Sequence, residues 1–232
     1  MAVKKKHLKG CSKGCREYAI VLVVLGILFI GGLLPTLIDF QSNIVRIDES
    51  EVFVTPITEN DELSLKEKMT TSGLVNLSSS LNENTYLENT EVLTNNLSLT
   101  GNEFAIFLNS VLFNDTLKIG ELNITTTDKI ILELKLKVDV TKIINLSFMG
   151  IDYMYSNLTF ELKEMDGVYV ALSPTSYFYG YKDDGTNDVL SAESQAQIII
   201  TLLNGADETR SLKDSLGANA ILFENNAINF YI

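Results

Sequence analysis

The chain has 232 residues, of which 18 are Lys or Arg and 30 are Asp or Glu, so its formal net charge is −12. It contains one His, two Cys and no Trp, and the His and both Cys lie within the first fifteen residues. Because so acidic a chain repels the phosphate backbone of nucleic acids, we expect no nucleic-acid partner. The length fits one modest domain together with additional segments.

The basic residues are concentrated at the start of the chain. Residues 1–17 carry six Lys or Arg and one acid, which leaves 12 basic and 29 acidic residues, a formal charge of −17, in the remainder. This asymmetry marks residues 1–17 as a basic tail. The acidic remainder is repelled by anionic lipid surfaces as well as by nucleic acids.

Residues 18–38 are predicted to cross a membrane, because they form an apolar run without a charge. At about 1.5 Å per residue, a helix of this length spans a hydrocarbon core of about 30 Å. The run is longer than the core of a signal peptide and no A-x-A motif follows it, so we predict an uncleaved signal anchor, with a cleaved signal peptide or a buried core helix as alternatives. The basic residues before it place the N-terminus in the cytoplasm and the remainder outside the cell membrane.

The rest of the chain is predicted to comprise a connector and a domain. Residues 39–90 are irregular and rich in Ser and Asn, with a short helix before Gly73, which indicates a connector. Residues 91–232 show regular periodicity and form the predicted extracytoplasmic domain. They contain no Cys, so their hydrophobic core must hold this domain together.

The predicted domain begins with a strand near residue 91 and a helix. Thr100 and Glu103 fit a capping box, in which each side chain binds the other's backbone amide. A strand is predicted over residues 117–125. A further strand is predicted over residues 130–140, where residues 132–140 alternate without error between apolar and charged side chains, which is typical of an antiparallel strand with one face in water.

Further strands and one more helix complete the predicted domain. A strand over residues 152–163 leads to a hairpin at Asp166-Gly167, a helix runs from Ser191 to Asn204, and the chain ends in a hairpin around Asn225. The predicted fold class is therefore α+β: one N-terminal transmembrane helix, followed by a curved antiparallel sheet packed with a few amphipathic helices.

Residues for catalysis or metal binding are scarce. The predicted domain has no His, and the Ser-Lys pairs at residues 64–66 and 211–213 lack the SxxK spacing that places both groups on one helical face. His7, Cys11 and Cys15 supply three ligands at most, and the loop 183–188 lacks the EF-hand spacing. We therefore predict no enzymatic activity, no catalytic residue, no metal site and no cofactor.

The apolar stripes are the predicted ligand-binding site. The helix after Thr100 and the strand over residues 130–140 each present one apolar face, and these faces could line a groove for a lipid or amphiphile. The alternative is a structural or partner-docking protein of the envelope in which the same faces close into a core, since groove and core share one sequence pattern. The candidate residues are Phe104, Phe107, Leu108, Leu132, Leu134 and Leu136.

The host is indicated only by composition. The absence of Cys outside the first fifteen residues and the many Asn, Ile, Leu and Lys favour a Gram-positive bacterium. Six N-x-S/T sequons favour the alternative, a glycosylated eukaryotic secretory protein. The sequons begin at Asn76, Asn96, Asn114, Asn123, Asn145 and Asn157.

The order of these elements resembles the YpmS-like family of Gram-positive bacteria. The shared layout is a short cytoplasmic tail, one span, a strand, a Leu-Thr-x-x-Glu-Phe helix start at residues 99–104, long strands, a Gly hairpin, a late helix and a terminal strand pair. This shared layout covers residues 18–232. The chain is also similar, more distantly, to envelope lipid-binding proteins with a curved sheet and a groove. The resemblance implies a membrane-anchored envelope protein with no established reaction, and its partners would be the bilayer and a lipid or an envelope protein.

Overall fold

The structure, a computed structural model, describes residues 47–79, 81, 91–111, 117–139, 141, 152–179, 192–205 and 211–232. The chain divides into two compact units, Met1–Ile44 and Val45–Ile232, and all described residues belong to the second. The predicted basic tail and the predicted anchor at residues 18–38 lie outside the described residues. None of the helices within the described ranges is long and apolar enough to cross a membrane.

Helices and strands alternate along the described residues. The helices are α1 (Glu49–Val52), α2 (Glu59–Thr71), α3 (Val75–Ser79), α4 (Gly101–Val111), α5 (Ala192–Asn204) and α6 (Leu212–Leu216). The strands are β1 (Leu97–Thr100), β2 (Leu117–Thr125), β3 (Ile130–Asp139), β4 (Tyr153–Met165), β5 (Val168–Tyr179), β6 (Ala220–Glu224) and β7 (Ala227–Tyr231).

The described strands form two antiparallel sheets. Strands β2, β3, β4 and β5 pair in chain order, and β7 lies between β1 and β6 in the smaller sheet. The predicted α+β class is confirmed. The prediction of a single sheet is wrong, because β1 pairs with the C-terminal strand β7 and not with a strand of the meander.

The centre of the core is the apolar face of β3. Leu132, Leu134 and Leu136 lie opposite apolar residues of β2, and the first two also lie opposite Phe160 and Leu158 of β4. Helix α4 packs against β2 and α5 against β5, and the apolar side chains of both helices join the same buried cluster. One face of the larger sheet is thereby removed from water, as the alternation in β3 requires.

The prediction that residues 39–90 form a connector does not describe residues 59–81. Leu65 and Met69 of α2, together with Leu74, Leu77 and Leu81, belong to the buried cluster that contains the β3 leucines. Helix α2 also starts from a complete capping box between Thr58 and Asp61. The folded domain therefore begins well before residue 91, because its core needs these leucines to cover α4 and the smaller sheet.

The predicted capping box at the start of α4 is confirmed. The Thr100 amide donates to Oε2 of Glu103 at 2.7 Å, and the Glu103 amide donates to Oγ1 of Thr100 at 3.4 Å. Glu103 is almost fully buried and also accepts from Ser64 and Lys68 of α2, each at 2.6 Å. This one carboxylate thus joins the start of α4 to residues within α2, a contact that the capping pattern alone did not predict.

Burial would raise the pKa of Glu103, but its hydrogen bonds from Lys68, Ser64 and Thr100 outweigh burial and hold this pKa below its ordinary value. Glu103→Gln is expected to lower the free energy of unfolding by about 1–3 kcal/mol at neutral pH, because the charge-assisted bonds are lost. The carboxylate stabilises the fold fully above its unfolded pKa of about 4.3, and this contribution is lost as the pH falls through the lower folded pKa.

Urea unfolding of the two proteins should therefore differ most at neutral pH, and the difference should shrink on acidification toward about pH 3. The exposed Glu67 of α2 provides the control, since Glu67→Gln should change stability by less than about 0.5 kcal/mol. A stability loss in Glu103→Gln that is independent of pH would contradict this role of the carboxylate.

Candidate functional site

The six predicted ligand-binding residues are buried together. Their exposed fractions do not exceed 6%, and all six belong to the main hydrophobic cluster: Phe104, Phe107, Leu108, Leu132, Leu134 and Leu136. The rings of Phe104 and Phe107 are stacked, with centroids 6.5 Å apart. These side chains contact one another and the surrounding core. Their binding of a ligand stays a prediction.

The opposite face of the larger sheet, called the outer face below, is polar. Glu121, Lys135, Asn157 and Tyr177 occupy one row across β2, β3, β4 and β5, each opposite the next. Their relative exposures are 1%, 6%, 4% and 50%. The alternation in β3 predicted that Lys135 faces water, so its burial requires something laid across this face.

That cover is the N-terminal strap, residues 47–57. The Thr55 amide donates to Oε2 of Glu121, and the Ile57 amide donates to the carbonyl of Gly120, both at 3.0 Å. The ring of Phe53 packs edge-on against Tyr155, with centroids 5.7 Å apart. These contacts join the strap to both β2 and β4.

Gly120 makes room for the strap. A Cβ atom added at this position would lie 2.4 Å from the Cζ atom of Phe53, which no real packing allows. At the edge of the strap, Lys137 binds Glu49 at 2.6 Å. The sequence contains this glycine within β2, but no local pattern connects it to a phenylalanine so far away along the chain.

Beneath the strap, Glu121 and Lys135 form a buried ion pair with a separation of 3.0 Å. Burial favours protonated Glu121, but hydrogen bonds from the Thr55 amide, Lys135 and Asn123 outweigh burial and keep its pKa below the ordinary value. The carboxylate is therefore charged at neutral pH. Its hydrogen bonds come from the strap, β2 and β3, so it joins three segments.

A second polar cluster lies beside this pair. The Asn157 side-chain nitrogen donates to Oε1 of Glu133 and to the Tyr177 hydroxyl, both at 3.0 Å, and Tyr177 donates to the Tyr179 hydroxyl at 3.0 Å. The two tyrosine rings are tilted by 58°, with centroids 5.0 Å apart. Burial raises the pKa of Tyr179, and so does the hydrogen bond from Tyr177, so the Tyr179 ring stays neutral at physiological pH.

Three lysines at the outer face are bound to acids. Lys135 binds Glu121, Lys137 binds Glu49, and Lys129 binds Glu161. Lys137 also lies 4.4 Å from the centroid of the Tyr153 ring, so a cation–π contact already exists on the outer face. Glu133, by contrast, has no ion-pair partner within the part of the chain that the structure describes.

The Ser-Lys pairs considered from the sequence are bound elsewhere. Ser64 donates to Glu103 and Lys66 binds Glu62, while Ser211 donates to Asp214 at the start of α6. Across the described ranges, no group of three or more His, Cys, Asp or Glu could hold a metal ion. The loop 183–188 and the residues His7, Cys11 and Cys15 lie outside those ranges.

The sequon at Asn157 lies within β4. Its amide nitrogen, to which a glycan would be attached, is buried and donates to both Glu133 and Tyr177. A glycan at this position would break the second polar cluster. Asn76, Asn96 and Asn123 are exposed, so the described sequons differ in accessibility.

No protein-family model, curated protein or solved structure matches this chain. The resemblance to the YpmS-like family therefore stays a prediction that rests on the layout of the sequence.

Lys135→Met is expected to lower the free energy of unfolding by about 3–5 kcal/mol, because it leaves Glu121 buried without its cation. The double variant Glu121→Gln with Lys135→Met should regain part of this loss, since no isolated charge then remains. Urea unfolding at neutral pH measures both effects. The matched control is Lys129→Met, whose pair with Glu161 is more exposed and should contribute at most about 1 kcal/mol. Equal losses of unfolding free energy in the two lysine variants would show that the buried pair stabilises the fold no more than the exposed pair does.

Proposed function

We propose that this chain is a non-enzymatic, membrane-anchored extracytoplasmic protein that docks a partner of the cell envelope with its folded domain. Support for the anchor comes from the apolar run at residues 18–38 and the basic tail before it. The proposed location in the cell envelope is supported by the acidic composition, the lack of Cys in the domain and the resemblance of the layout to the YpmS-like family.

The observation that favours docking over interior binding is the burial of all six predicted ligand residues. An interior ligand would have to separate Phe104 from Phe107 and part the leucines of β3, which are in contact within one cluster. Opening such a core costs free energy for every side chain that loses its packing partners. Binding of a lipid or amphiphile in a groove is the competing hypothesis.

The proposal includes curvature of the larger sheet. The register between β2 and β3 shifts at Ile119/Glu121, and that between β4 and β5 shifts at Thr159/Glu161. Such bulges increase the local twist and bend a strand. Two bulges in four strands support a sheet that curves around α4 and α5.

Native mass spectrometry separates the two hypotheses. The soluble fragment Val45–Ile232, purified without the predicted anchor, should show the mass of the polypeptide alone and release no lipid on organic extraction. The full chain in detergent serves as the positive control for extraction, since its anchor should carry membrane lipid. A stoichiometric lipid on the soluble fragment would overturn the closed core, and Leu134→Asp should then abolish its retention.

The distribution of cysteines allows a direct test of the topology. Cys11 and Cys15 lie on the predicted cytoplasmic side, and the domain contains no Cys. A membrane-impermeant maleimide should therefore leave the wild-type protein unlabelled in intact cells and should label a Glu193→Cys variant at an exposed position of α5. Labelling of the wild type, or protection of the variant until the cells are lysed, would refute the proposed orientation.

A further inference from the structure

The outer face presents an acid, Glu133, that has no ion-pair partner among the described residues and lies beside two tyrosine rings. Glu133 and Tyr177 are bound to the same nitrogen atom, that of the Asn157 amide, so the carboxylate and the phenol are held close together. Tyr177 is half exposed, and the ring of Tyr179 lies against it. The three side chains that meet here come from β3 and β5, and the amide of β4 bridges them.

These groups match the chemistry of an organic ammonium ion. A carboxylate attracts the positive charge, and the electron-rich faces of tyrosine rings bind a quaternary or primary ammonium group without needing hydrogen bonds from it. Lys135, two residues away in β3, binds Glu121, and no described lysine forms an ion pair with Glu133. The charge of −17 on residues 18–232 also attracts cations from a distance.

We propose that Glu133, Tyr177 and Tyr179 form a surface site for a small quaternary ammonium compound that carries no phosphate. We expect an attached phosphate to weaken binding, because it would lie against an acidic domain and because Lys135, two residues from Glu133 in β3, is already bound to Glu121. The site needs no opening of the core, which distinguishes it from the groove predicted from the sequence.

Choline is the probe for this site. The full chain in a neutral maltoside detergent should bind choline with a dissociation constant on the order of millimolar, since the site is shallow and exposed to solvent. Ligand-observed NMR titration of the N-methyl protons measures this constant. The uncharged isostere 3,3-dimethylbutan-1-ol should bind at least about tenfold more weakly, because it has the same shape without the charge.

Variants assign the binding to the named residues. Glu133→Gln keeps the shape of the side chain and should weaken choline binding about tenfold. Tyr177→Leu should weaken it by a similar factor because the aromatic face is lost, whereas Tyr177→Phe should retain it. The charge control is Glu193→Gln, which removes one negative charge from an exposed position of α5 and should leave the affinity unchanged.

Three results would overturn the proposal. They are equal binding of choline and its isostere, unchanged binding in Glu133→Gln, and glycerophosphocholine binding as tightly as choline, which would assign the site to a lipid headgroup. The proposal rests on the proposed function only in placing the domain outside the cell. A lipid-bearing fragment would overturn the closed core without altering the choline result, so the two failures are distinguishable.

Discussion

Removal of the apolar face of β3 from water is the constraint on which the rest of the domain depends. Leu132, Leu134 and Leu136 point to one side of the strand because side chains alternate, and β2 and β4 extend the same apolar surface in register. Helices α4 and α5 cover this surface, and α2 and the smaller sheet close the remaining sides of the same cluster. Helices α4 and α5 are amphipathic, α2 buries only two of its residues and the strands of the smaller sheet are short, so none of these elements could bury its own apolar residues alone.

Local patterns predicted the elements that local forces determine. The predicted strand over residues 130–140 matches β3, the predicted strand over residues 117–125 matches β2, and the capping box at Thr100 and Glu103 has the expected hydrogen bonds. The hairpin at residues 225–226 has positive φ angles at both asparagines, which suit that residue. In each case the signal lies within a few residues of the structure it specifies.

The features that escaped prediction depend on contacts between distant parts of the chain. Helix α2 is mostly polar and buries only Leu65 and Met69 within its length, so its sequence resembles a connector. Strand β5 continues past Pro174 to Tyr179, through a bulge with positive φ at Ser173, which no local pattern predicted. The alternation in β3 assigns Lys135 to a face but cannot show that residues 47–57 cover that face.

The two faces of the larger sheet contribute differently to stability and to recognition. On the apolar face the contacts are non-directional, so any side chain of suitable shape fills the space and little chemistry is left for recognition. On the outer face the strap buries Glu121 and Lys135, and a buried charge without its partner would cost free energy. These two side chains are therefore paired with each other and are not available to a ligand. Elsewhere on the outer face Glu133 is oriented by Asn157 and forms no ion pair with a described lysine. A rigid carboxylate that is already aligned loses little entropy on binding, so recognition is better placed on this face than in the interior.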